Sequence, residues 1–293
     1  MSAVTEAVRR VSGSVLPSIL GAAVGVAFVS TSPYRGAPQW PVWAALWVAL
    51  TGAAGAVFTY GLAHWRELPV GERPPPSATI TPVAALVVGG LLGMRVPSLV
   101  GHDYGWRGTA TVSLCLIGSA PAAATAFAIR RAARSATWPD GRSHGAQVVW
   151  LIERRRSLRA LLAAVGSLVA LTTLALGEAS QIQKDYVAAG RIPAAAAETP
   201  QTIVIAGGAS SLVIGSIYGL AAGALLRRGR ALCAEVFDVA QASDPATLLD
   251  CAENRQRLEA VTGADTGPFA DLQTGLVVLA PLIASAASAF LPR

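Results

Sequence analysis

The sequence predicts an all-α fold: a polytopic integral membrane protein, a bundle of about seven transmembrane helices with short cytoplasmic helical segments. Three observations predict it. Hydrophobic residues make up 53% and charged residues 14% of the chain, with a mean hydropathy of +0.50, whereas about a quarter of a soluble domain is charged. The apolar residues gather into seven long stretches, and nearly every charge lies between them. A lipid-facing segment must satisfy its backbone internally and cannot hold an unpaired charge. Finally, no polar run reaches the roughly 50 residues of an independent domain, so any chemistry belongs to the bundle or its faces.

The first span, 11–30, follows Arg9 and Arg10. Its basic start and apolar centre have a signal-peptide layout, but the run is long for one and reads as a retained helix. The second, 41–63, has Trp40, Trp43 and Trp47 crowded at its start and Trp65 past its end, the placement of an interfacial belt. A polar linker from Glu67 ends in Pro74, Pro75 and Pro76, which favour extended polyproline chain. The third span, 79–99, carries Arg95 where it can snorkel to headgroups. A tight loop containing His102 and Asp103 leads to the fourth, 108–129.

Residues 130–159 form a basic cytoplasmic loop with eight Arg against Asp140 and Glu153. Within it, 147–159 reads as an interfacial helix on anionic headgroups. The fifth span is 160–176, a polar loop fills 178–200, the sixth span is 202–226 and the seventh 268–291. Between the last two, 227–266 reads as a cytoplasmic segment of two short helices. For the second of these, Asp244 and Pro245 supply N-cap and N1, and Gly263 the C-cap. Leu248, Leu249, Ala252, Leu258 and Val261 give that helix an apolar face expected to pack under the bundle.

A cytoplasmic N-terminus puts 17 basic residues on the inner side and 6 on the outer. The positive-inside rule therefore places the C-terminus outside. The 22 Arg against the single Lys184 suggest a GC-rich bacterial source, hence a bacterial inner membrane. Because topology uses these arginines, the net charge of +6 implies no nucleic-acid partner. The expected partners are the bilayer, its anionic headgroups, and a second copy or another membrane protein. Cys115, Cys233 and Cys251 lack Cys-x-x-Cys spacing or an adjacent His, so neither zinc nor a disulfide framework is indicated. No cofactor is implied.

In the sixth span, Gly207, Ser211, Gly215, Gly219 and Gly223 recur every fourth residue and line one helix face. That pattern points first to close helix packing. Gly13, Gly21 and Gly25 form a shorter version in the first span. Candidate polar or pore-lining groups are Asp271, with Gln273 and Thr274 beside it, and Glu178 at the outer end of the fifth span. An intramembrane carboxylate suggests an ion ligand or proton carrier, although Asp271 also suits the dipole of a first helical turn. A retinal pigment needs a lysine in its last helix, and an intramembrane metalloprotease needs His-Glu-x-x-His; neither is present. Tyr60-Gly61-Leu62-Ala63 recurs at 218–221, too short a match in an Ala- and Gly-rich chain to establish a repeat.

Two function classes remain. The preferred one is a channel or transporter for a small solute or ion, because no large recruiting domain is present in the sequence. The other is a non-catalytic anchor, regulatory subunit or assembly partner. No catalytic constellation is visible, and an enzyme acting on lipids is the weakest option.

Overall fold

The structure is a computed structural model that describes residues 3–69, 73, 84, 106–135, 143–193, 200–238 and 244–265. Among them are six helices and no strand: α1 Ala3–Ser30, α2 Trp40–Arg66, α3 Trp106–Arg134, α4 His144–Ala188, α5 Pro200–Val236 and α6 Pro245–Thr262. Within α2, α3, α4 and α5 lie four segments long and apolar enough to cross a membrane, and α1 adds a shorter apolar stretch, Val15–Ser30. The expected spans 79–99 and 268–291 lie outside the described residues, residue 84 excepted. So do His102, Asp103, Asp271, Gln273 and Thr274.

Bare backbone against backbone holds the first three helices together. A Cβ on Gly55 would stand 2.5 Å from the Pro17 carbonyl oxygen, and Gly21 and Gly25 of α1 press equally hard on Thr51. A Cβ on Gly61 would stand 2.6 Å from the amide nitrogen of Ala122 in α3. Helices approach this closely only where side chains are missing. Across the second seam, Thr125 donates to the Gly61 carbonyl at 3.3 Å and to its own Pro121 carbonyl at 2.9 Å.

α2 packs on α1, α3 and α4, while α5 packs on α3, α4 and α6. The apolar core divides accordingly. One part, around Trp43, Trp47, Leu50 and Leu168, joins the start of α2 to the later half of α4. The other, around Ile129, Leu151, Leu158 and Leu232, joins the ends of α3 and α5 to the start of α4. Trp43 and Trp47 are only 3% and 2% exposed, and Trp47 stacks on Phe28 at 3.8 Å. They are core residues rather than part of an interfacial belt.

α4 departs most from the expected boundaries. The fifth span is the middle of one 45-residue helix, about 67 Å long where a bilayer core is about 30 Å thick. No proline interrupts it, and Arg, Gln and Ala are good helix formers. Ser143 caps its start by accepting from the Ala146 amide. At the far end Gly190 turns at φ +68°, and the Arg191 amide reaches back to the Tyr186 carbonyl at 2.8 Å. Charge marks where the apolar stretch of this helix ends, not where the chain stops being helical. Likewise α5 runs through Arg227 and Arg228 to Val236, so the first of the two short helices expected after residue 226 is its continuation.

Candidate functional site

Two ends of the bundle carry its polar chemistry. At the first, Gln39 donates to Asp185 at 2.8 Å, tying the start of α2 to the end of α4. Tyr34 meets Tyr186 edge-on at 4.9 Å, and the Arg191 guanidinium lies 5.2 Å from the same Tyr186 ring. Glu178 lies two turns below, inside α4 rather than in a loop. It is half-buried, with no bonded partner among the described residues.

The second end is basic, gathering Arg66, Arg130, Arg131, Arg134, Arg154–Arg156, Arg159, Arg227, Arg228 and Arg230. Here α6 docks by its C-terminus. Gly263 turns at φ +69°, and the carbonyls this turn leaves outside the helix are taken by arginines of two other helices. Arg155 of α4 donates to Thr262 at 3.2 Å, and Arg230 of α5 donates to Ala264 at 3.0 Å. Cations at a helix C-terminus complement its dipole. Arg73 does the same for α2, donating to the Leu68 and Arg66 carbonyls. Beside the α6 dock, Leu151, Leu158, Tyr218, Leu225 and Thr262 border a narrow cleft with room for about one water molecule.

The expected caps of α6 are those found, with Asp244 accepting from the Ala246 and Thr247 amides at 3.0 Å each. Its apolar residues do not form a docked face. Thr262 is buried and Leu258 half-buried, but Leu249 and Val261 are 68% and 62% exposed. The bonds from the Thr247 hydroxyl and amide hold the Asp244 carboxyl below its ordinary value. A depressed acid stabilises above its unfolded pKa, about 3.9, and loses that contribution as pH falls through the folded value. Amide exchange in 245–262, corrected for intrinsic rates, should therefore accelerate below about pH 4, and Asp244→Asn should flatten that response.

The remaining candidates are dispersed. Thr51, Thr172 and Thr173 are buried, but each hydroxyl bonds a carbonyl one turn back in its own helix. Cys115, Cys233 and Cys251 are free thiols. No three His, Cys, Asp or Glu side chains among the described residues form a metal-binding group. On α5 the Ser211 hydroxyl bonds the Gly207 carbonyl, and no described atom lies within 4 Å of a Cβ built at Gly215 or Gly219. The two Tyr-Gly-Leu-Ala copies thus occupy different settings, Gly61 in a tight seam and Gly219 in open space. The packing glycines Gly55, Gly61 and Gly118 have no regular spacing to signal them, because their partners lie on other helices. No protein-family model, curated protein or solved structure matches this chain.

Proposed function

We propose that this protein is a non-catalytic membrane anchor or assembly partner whose basic end, on the cytoplasmic side, holds another protein. The observation that carries this reading is α6. It is fixed to α4 and α5 through Arg155 and Arg230, yet it turns Leu249 and Val261 outward. Charge favours a protein over a lipid surface as its occupant. Around α6, Asp244, Asp250, Glu253, Glu259 and Asp265 outweigh Arg255 and Arg257, so anionic headgroups repel it while they attract the arginines at the helix ends behind it. Purification from native membranes should yield a stoichiometric partner with the wild type and none with Leu249→Glu. A bare chain in both preparations counts against the reading.

A second reading, conduction of a small solute or ion, draws on Glu178, a half-buried carboxylate within a membrane helix. Asp271 belongs to the same reading. Liposomes bearing the wild-type chain are expected to pass ions no faster than protein-free liposomes. A flux that Glu178→Gln or Asp271→Asn abolishes would instead establish conduction.

A further inference from the structure

We infer that the narrow cleft beside the α6 dock is a binding site for one water molecule, which joins Tyr218 of α5 and Arg155 of α4 to Thr262 of α6. The cleft lies where the three helices meet. Arg155 borders it from α4, Tyr218 and Ala222 from α5, and Thr262 and Ala264 from the turn that ends α6; leucines complete the wall. Tyr218 and Ala222 are four residues apart and so share one face of their helix. Size selects the occupant first. The space takes about one water molecule, which excludes a lipid headgroup or an organic solute.

Chemistry selects it as well. A buried water is held by about two to four polar partners, whereas a wholly apolar hollow stays dry. Three polar residues border this cleft, one from each helix. Tyr218 is 4% exposed, and its hydroxyl can both donate and accept. Arg155 donates to the Thr262 carbonyl at 3.2 Å, and a guanidinium carries five N–H donors. The Thr262 hydroxyl gives its proton to the Leu258 carbonyl at 2.9 Å, which leaves its oxygen as an acceptor. The bound water accepts from Arg155 and donates to the oxygens of Tyr218 and Thr262. It adds a third tie at the end of α6, beside the bonds from Arg155 and Arg230. That tie holds whatever α6 carries on its outer face.

Two measurements on the full chain in membranes test this. Under a brief X-ray pulse, a bound water yields hydroxyl radicals where it sits and marks the ring beside it. Tyr218 should be oxidised despite its burial, whereas Trp47, 2% exposed and stacked on Phe28, should not. A Tyr218 as unmarked as Trp47 would overturn the proposal. The second measurement is amide exchange across 245–262. Ala222→Val fills the cleft with carbon, and Tyr218→Phe removes one oxygen without adding bulk; each should speed exchange several-fold. Both act through one water, so the double variant should exchange no faster than the faster single variant. In a dry cleft the added carbon would improve packing instead. Unchanged or slower exchange in either single variant, or effects that multiply in the double, would therefore also overturn it.

Discussion

Gly61→Val should remove most of the folded protein, lowering the monodisperse fraction on size exclusion several-fold. The new Cβ would stand 2.6 Å from the Ala122 nitrogen and 3.0 Å from the Pro121 carbonyl carbon. Both are backbone atoms, so no rotamer change relieves the clash and the helices must separate. Overpacking a close core typically costs about 1–3 kcal/mol. Here the separation also breaks the bond from Thr125 to the Gly61 carbonyl and loosens α2, which packs against α1 and α4 as well. A protein stabilised by only about 5–15 kcal/mol has little margin for that loss. Gly177→Val is the control: its Cβ meets no described atom within 4 Å, and its monodisperse fraction should stay close to that of the wild type.

Gly263→Val should release α6 while leaving the bundle intact. A β-branched residue at φ +69° is strained, and its Cβ would occupy the space filled by the Arg155 guanidinium. Displacing Arg155 forfeits its bond to Thr262 and weakens the neighbouring bond from Arg230 to Ala264. Amide exchange across 245–262 should then approach that of unfolded chain, with no change in the middle of α2. Gly190 has nearly the same φ, +68°, but open surroundings, so Gly190→Val carries the strain alone and should leave α6 protected. Equal exchange in the two variants would remove the arginine contact from this explanation.

Membrane residence and all-helical character were legible because the bilayer imposes its demands locally, residue by residue. The end of α1 at Ser30 and the start of α2 beside Pro41 follow from apolar runs and proline. α6 was legible down to its caps, since Asp244, Pro245 and Gly263 act on the backbone beside them. The extent of α4 was not, because its arginines change the solvent a helix prefers without breaking it. Nor was the burial of Trp43 and Trp47, which is decided by α1 and α4 packing over them. The α6 dock was hidden for the same reason: 107 residues separate Arg155 from Thr262, and neither residue's sequence neighbours announce the other. Glu178 could be read as a polar group near a span end, but its place inside a continuous helix could not.

The account rests on α6 presenting its outward face to a protein, and a photoreactive residue placed at Leu249 in native membranes tests this most directly. Light should join the full chain to one discrete protein. The same residue at Leu16, on the exposed face of α1, should give no such adduct. Solvent or lipid adducts alone from the Leu249 position would contradict the account.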